Sequence, residues 1–373
     1  MNPDTTFRPR LGAIVALCLV MLLGACGSDD NTSAGDASSS TTSAPQASST
    51  TKTECASGTI SGAGSTFVQT IVQQWIKDYA EECPGSTVNY QGVGSGAGIQ
   101  QLTAGTVDFA GSDVAMKPEE QTAAESKVGP VLHIPWTAGG IAVEYNLEGV
   151  EGLKLTPETL ARIFAGKITK WNDPALAADN KGVDLPSTGV QVIHRSDGSG
   201  TTAAFTAYLA AAAPSTWTFG AGKEIPWPTG QGAKGSDGVS AAVKQASGAI
   251  GYAEVSFAKG STLGIAKIRN AGGSFVGPEG DAVADALESA KVPTDLKVEI
   301  DYRPTSAKAY PISTTSFVLV PSKPTDAAKA KLLRSFVTYA LGAGQGAAED
   351  LSYAPLPTSL ADKAMTAAAS IGG

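Results

Sequence analysis

Within seven residues, Arg195-Ser196-Asp197-Gly198-Ser199-Gly200-Thr201 gathers groups able to bind an oxyanion. Arg195 offers a charged, planar fork of N–H donors. Ser199 and Thr201 add hydroxyl donors, and Gly200 lets the backbone come close. On one side stands Val190-Gln191-Val192-Ile193, a β-branched run that reads as a buried strand. On the other, Phe205, Tyr208 and Leu209 share one face of a helical stretch. The motif is therefore expected at a turn from a strand's end to a helix N-terminus, where unpaired amides and a partial positive charge favour an anion. Taken alone, the same residues also describe a serine-capped helix with a surface arginine.

Two further loops have this design. Ser61-Gly62-Ala63-Gly64-Ser65-Thr66-Phe67 leads into a helical face of Phe67, Ile71, Trp75, Ile76 and Tyr79, with Ser65 or Thr66 placed to cap it. Tyr90-Gln91-Gly92-Val93-Gly94-Ser95-Gly96 repeats the sequence of strand, glycine turn and helix, with a hydroxyl at Ser95. Each alone is as weak a signal as any glycine-rich loop. Three together point to one oxyanion held at several helix N-termini, beyond the carboxyl ends of the strands. Asp113 ends a fourth run, Val107-Asp108-Phe109-Ala110-Gly111-Ser112-Asp113. Either it caps the next turn or it faces the ligand. An ionised carboxylate only accepts hydrogen bonds, so a ligand facing it must carry a proton, as phosphate does at neutral pH and sulfate does not.

The elements that must position these loops alternate along the chain. Strands are expected at Thr87–Gln91, Val107–Ala110, Gly140–Glu144, Val190–His194, Ala249–Ala253 and Ser316–Val320. Helices are expected at Phe67–Glu82, Pro157–Ala165, Thr201–Ala212, Val239–Gln245, Asp326–Leu341 and Ser359–Ser370. That order predicts an α/β fold with helices on the sheet faces, and the length after the linker suits two domains. Trp75, Trp136, Trp171, Trp217 and Trp227 read as packing residues, and His194 as pointing into the strand layer.

Residues 1–25 read as a targeting signal. Arg8 and Arg10 precede an apolar run from Leu11 to Leu23, too short to span a bilayer, and Leu23-Gly24-Ala25-Cys26 follows. That tetrapeptide resembles a bacterial lipoprotein lipobox, which implies lipidation of Cys26 and anchoring on the outer face of the cytoplasmic membrane. Residues 26–53 form a Ser/Thr-rich linker: 14 of the 27 residues after Cys26 are Ser or Thr. Such a segment buries too little apolar surface to offset ordering. Cys55 precedes the first strand and Cys83 follows the first helix. In a β–α unit those ends share one sheet edge, so a Cys55–Cys83 disulfide is expected outside the membrane.

The oxyanion motifs resemble the phosphate-binding receptors of ABC-type phosphate importers, the Pst system. Gly62–Phe67, Tyr90–Gly96, Val107–Asp113 and Arg195–Thr201 carry the resemblance, with Gly166–Trp171, Gly248–Tyr252 and Tyr310–Thr315, over essentially all of the chain from residue 58. It implies a two-lobed type II periplasmic-binding-protein fold, with residues 54–137 and 311–373 as lobe I and 138–310 as lobe II. It implies phosphate ligands at Thr66, Phe67 through its backbone amide, Ser95, Asp113, Arg195, Ser199, Gly200 and Thr201, with Asp197 holding the Arg195 fork. It implies a monomeric receptor serving transmembrane permease subunits, with no cofactor. Val68 stands where the pattern leads one to expect proline, and the cysteine pair is an addition; neither touches a ligand position.

Composition sets limits on other classes. The chain carries 27 basic and 35 acidic residues, a net charge of −8, whereas nucleic-acid binding needs a basic footprint. Two histidines, no HExxH and no Cys/His cluster argue against a metal hydrolase. Asp197 and Thr201 occupy the glycine positions of a Gly-x-Ser-x-Gly elbow, which argues against a serine nucleophile at Ser199. A receptor for another tetrahedral oxyanion, or a surface adhesin that also binds phosphate, stays open at this stage.

Overall fold

A computed structural model describes residues 54–373; the signal, Cys26 and the Ser/Thr-rich linker lie outside the described residues. Three β–α units open the chain: β1 (Gly58–Gly64), α1 (Gln69–Glu82), β2 (Ser86–Gly92), α2 (Ser95–Thr103), β3 (Phe109–Ser112) and α3 (Pro118–Val128). A long β4 (Val131–Tyr145) follows, then β5 (Lys154–Leu155), α4 (Pro157–Phe164), α5 (Pro174–Asp179), β6 (Gln191–Arg195) and α6 (Gly200–Ala212). Next come β7 (Gln231–Ala233), α7 (Gly235–Gln245), β8 (Ala249–Glu254), α8 (Val255–Gly260), β9 (Gly264–Ile265), β10 (Lys267–Arg269), β11 (Phe275–Val276) and α9 (Gly280–Leu287). The chain closes with β12 (Ser313–Pro321), α10 (Ala327–Leu341), a 3-10 turn (Ala343–Ala347), β13 (Tyr353–Ala354) and α11 (Thr358–Ala369).

One sheet runs β2-β1-β3-β12-β4-β8-β6-β7, with β1–β3 mutually parallel and β12 antiparallel to both β3 and β4. β4 joins the two halves by changing partners. Val131–Gly140 pair with β12, and Ile141–Tyr145 pair with β8. Both β4 and β12 are buried along nearly their whole length, so they read as continuous apolar or small-residue runs without alternation. Tyr310 reinforces the crossover, donating its hydroxyl to the Ile141 carbonyl at 2.7 Å.

Helices cover both faces. Trp75, Tyr79 and Phe336 pack behind the first half, and Phe164, Phe205 and Tyr252 behind the second, within one continuous core. Ile99, Leu102, Ala110, Phe317 and Leu319 form a separate cluster on the opposite face of the first half. Cys55 and Cys83 are disulfide-bonded, with a Cα–Cα distance of 5.3 Å, and tie the approach to β1 to the end of α1. Among the described residues no helix is long and apolar enough to cross a membrane.

Candidate functional site

Strand polarity brings the site together. β1, β2, β6 and β7 each end in a turn that starts a helix, namely α1, α2, α6 and α7, and β3 ends directly at Asp113. β1, β2 and β3 are mutually parallel, and so are β6 and β7. The two sets run in opposite senses, because three antiparallel pairings, through β12, β4 and β8, separate them. Their carboxyl ends face one another where β4 changes partners, so four helix N-termini and Asp113 gather there.

Asp113 lies at the centre, 2 % exposed. Its Oδ1 accepts from the Ser65 hydroxyl at 2.6 Å and the Ser316 hydroxyl at 3.0 Å, and its Oδ2 accepts from the Thr201 hydroxyl at 3.3 Å. Burial pushes the carboxyl above its ordinary value, opposed by the Ser65 and Ser316 bonds, the Arg195 charge and the Thr201 bond. Arg195, 4 % exposed, is held by Asp197: Nε donates to Oδ1 at 2.7 Å and Nη2 to Oδ2 at 2.5 Å. Burial raises the Asp197 carboxyl, but the Arg195 hydrogen bond and charge, with the Gly235 amide, outweigh it and hold it below the usual carboxylate range. The Arg195 amide in turn donates to the Tyr252 hydroxyl at 3.2 Å.

The loops of the two sheet halves touch. The Gly200 amide donates to Ser95 Oγ at 3.1 Å, and the Gly96 amide donates to the Gly198 carbonyl at 2.8 Å. The Ser236 amide donates to Thr66 Oγ1 at 3.1 Å. Close approach here requires glycine. A Cβ on Gly200 would come within 2.5 Å of Ser95 Oγ and 2.8 Å of Asp113 Oδ2. Gly94 has φ +92°, and a Cβ there would fall 2.3 Å from Asp197 Oδ2.

All eight residues expected as ligands thus lie in one buried cluster or its immediate frame. Ser199 caps α6, accepting from the Thr202 amide at 3.0 Å, which leaves its proton free to donate. Phe67 presents its amide toward Ser65 Oγ at 3.0 Å. Several expectations need correcting. Neither Ser65 nor Thr66 caps α1: the helix begins at Gln69 with Val68 at the N-cap and no side-chain cap, because both hydroxyls are engaged across the site. β3 lies two residues further on than expected, over Phe109–Ser112. His194 does not enter the strand layer; its ring stacks on Trp227, with centroids 4.7 Å apart and planes 11° apart.

Gly235 and Ser236 were missed. The Gly235 amide donates to Asp197 Oδ1 at 3.1 Å, and Ser236 is fully buried against Thr66. Gln231–Ala233 followed by Gly235-Ser236-Asp237-Gly238 has the same strand, glycine and helix pattern as the other loops, so the signal was present. Ser65 and Ser316 as Asp113 partners had none, since partnership depends on β1 and β12 running on either side of β3.

Two sheet halves joined through one strand, with convergent helix N-termini between them, define a two-lobed binding protein of the type II periplasmic class. A family model for the PBP superfamily domain matches residues 49–343. Phosphate-binding protein PstS 3 of Mycobacterium tuberculosis (strain ATCC 25618 / H37Rv) is 38 % identical over 369 residues, covering 97 % of each chain. Phosphate-binding protein PstS of Xylella fastidiosa (strain Temecula1 / ATCC 700964) is 37 % identical over 354 residues, covering 93 % of this chain and 94 % of its own. The fold is similar to that of a high-affinity periplasmic phosphate-binding protein (PfluDING) bound with phosphate, at a TM-score of 0.70, 23 % identity, and coverage of 83 % and 93 %. It is similar too to a phosphate-binding protein from Stenotrophomonas maltophilia, at a TM-score of 0.68, 20 % identity, and coverage of 83 % and 94 %. The chain belongs to the PBP superfamily and, within it, to the PstS family of phosphate-binding proteins.

Proposed function

We propose that this protein is an extracytoplasmic receptor that binds inorganic phosphate between its lobes and delivers it to the permease of an ABC-type importer. As a substrate-binding receptor it is not an enzyme. The observation that carries the reading is the buried Asp113 carboxylate among hydroxyls and helix N-termini. The donors select an oxyanion, and Asp113 selects one that still holds a proton. Thr66, Ser95 and Ser199 donate hydroxyl protons to the ligand. Phe67, Gly200 and Thr201 donate backbone amides while the Thr201 hydroxyl stays on Asp113, and Arg195 donates its fork, which Asp197 orients. Lobe I comprises residues 54–137 and 311–373, and lobe II residues 138–310. The partner switch of β4 after Gly140 supports the first of these crossings. Calorimetric titration of the full chain with phosphate, sulfate and arsenate tests the reading. Saturable phosphate binding with sulfate rejected is the expected result, and equal binding of sulfate would point to a receptor for another oxyanion.

The protein acts as a monomer held to the outer face of the cytoplasmic membrane by lipid on Cys26, docking there with the transmembrane permease subunits. More than one acyl chain is needed, since a single chain holds only marginally. Cys26→Ala should release protein to the medium or leave an uncleaved precursor, read by fractionation and mass spectrometry. A fully processed Cys26→Ala chain that stays in the membrane would refute the anchor.

A further inference from the structure

Lys223 lies in the segment between α6 and β7, and its ammonium reaches Glu120 in the first turn of α3 at 2.6 Å. The two belong to opposite halves of the sheet and connect two ligand loops. Glu120 is seven residues after Asp113. The Lys223 carbonyl accepts the Ser199 amide at 3.0 Å, and the adjacent Gly222 amide donates to Thr206 on α6 at 3.2 Å. Lys223 is thus fixed by its backbone to the Ser199 loop and by its charge to the helix that follows Asp113.

Burial separates this pair from an ordinary surface contact. The side chains are 9 % and 24 % exposed, whereas the partners of Lys291–Glu299 are 83 % and 66 % exposed. Exposed pairs contribute almost nothing, but a largely desolvated one loses much more when one partner is removed. Glu120 also accepts the Lys117 amide at 2.9 Å, so its carboxylate is held in place on α3 before Lys223 arrives. The catch is preformed and the hook comes from the other half.

We propose that Lys223 and Glu120 form a clasp across the mouth of the cleft, made when the lobes close and broken when they open, which sets how fast the ligand leaves. This rests on the phosphate-receptor reading and adds to it a pair that touches no ligand. Because the pair spans the lobes, it stabilises the closed complex and adds little to either lobe alone. Its removal therefore acts on release and leaves the ligand-free fold as it was.

The experiment uses the full chain and inorganic phosphate, comparing wild type with K223M, E120Q and the double variant. Glutamine keeps an acceptor for the Lys117 amide, so α3 retains its first turn. Release of radiolabelled phosphate into an unlabelled chase should speed up about tenfold in each single variant, equivalent to about 1.4 kcal/mol. The double variant should be no faster than the worse single one, and urea midpoints of the ligand-free proteins should coincide. Wild-type release rates in both singles, effects that multiply in the double, or matching losses of ligand-free stability would overturn the clasp alone. Failure of the wild-type chain to bind phosphate would overturn the clasp and the receptor reading together.

Discussion

Replacing Asp113 by Asn should let sulfate in. The carboxylate already has two donors on Oδ1, Ser65 at 2.6 Å and Ser316 at 3.0 Å, but on Oδ2 only Thr201 at 3.3 Å. The lone pairs open to a ligand are therefore those of Oδ2. Monohydrogen phosphate meets them with a proton; sulfate meets them with lone pairs. Both anions carry two negative charges, so net charge repulsion does not separate them. The difference is the hydrogen bond, and a buried carboxylate left facing lone pairs costs about 4 kcal/mol, roughly a thousandfold in affinity at about 1.4 kcal/mol per decade. Asn keeps the shape, removes the charge and can turn an N–H toward the anion while its carbonyl stays with Ser65 and Ser316. The phosphate-over-sulfate ratio should fall by about two to three decades, chiefly through sulfate gained. Phosphate loses less, because the amide can also present its carbonyl to the ligand's proton. The assay is paired calorimetric titration with both anions at fixed ionic strength. Acid supplies an internal check, since burial raises the Asp113 carboxyl and its protonation would give a donor for sulfate. Wild-type discrimination should thus narrow as pH falls, and that of Asp113→Asn should not. An unchanged ratio in the variant would remove Asp113 as the discriminator.

Arg195→Ala should abolish most phosphate binding, by about 3–5 kcal/mol, because it removes the fork and leaves Asp197 unpaired beside the Gly235 amide; Arg195→Lys should recover only part of it by calorimetry. Glu254 is fully buried, with Oε1 lacking a hydrogen-bond partner among the described residues, and burial pushes its carboxyl up to about 8. A folded-state value above the unfolded one gives stability that is complete below about pH 4.5 and lost as pH rises through about 8. Urea midpoints should therefore fall from pH 5 to pH 8, and Glu254→Gln should flatten part of that slope, the buried Glu144 supplying the rest; an identical slope in the variant would rule Glu254 out. Replacing both Cys55 and Cys83 by Ser should lower stability by about 3–4 kcal/mol in urea unfolding, the loop-closure value for a separation of 28 residues, and an unchanged midpoint would show that the disulfide does not constrain the unfolded chain.

What the sequence made legible followed from local pattern. The three glycine loops, Asp113 and the Arg195–Asp197 pair are each written in a few neighbouring residues, and the strand-to-helix rule is enough to send each to the carboxyl end of its own strand. That the two halves face one another there depends on β4 changing partners. The Cys55–Cys83 pairing was legible for the same reason, since one β–α unit contains both. Long-range partners were not. β4 was visible only as Gly140–Glu144, although it runs from Val131, because Pro135, Gly139 and Gly140 break the apolar alternation that marks a strand. Its length is set by backbone pairing with β12 along Val131–Gly140 and with β8 along Ile141–Tyr145. α7 was expected from Val239 and begins at Gly235, where the glycine and small polar residues that weaken helical pattern are what allow approach to Thr66 and Asp197. His194 left the strand layer because Trp227, far along the chain, offers it a stacking face.

An acidic protein can hold an anion here because the local charge is set by backbone and not by composition. Each helix N-terminus carries about half a positive charge, so α1, α2, α6 and α7 together supply about two. Arg195 and Asp197 largely cancel each other, being paired through two hydrogen bonds. Asp113 subtracts one, which leaves a small positive surplus in a site walled off from the −8 of the whole chain. Removing the Asp113 charge would make that surplus larger and the site less selective, admitting anions that carry no proton. On the proposed reading, the buried position of Asp113 serves discrimination between anions. The three hydroxyls that hold it keep its lone pairs aimed while lowering the cost of burying its charge. On that reading, removing the Ser65, Ser316 or Thr201 hydroxyl should narrow the phosphate-over-sulfate ratio as Asp113→Asn does, because a carboxylate free to turn away from the ligand would reject nothing.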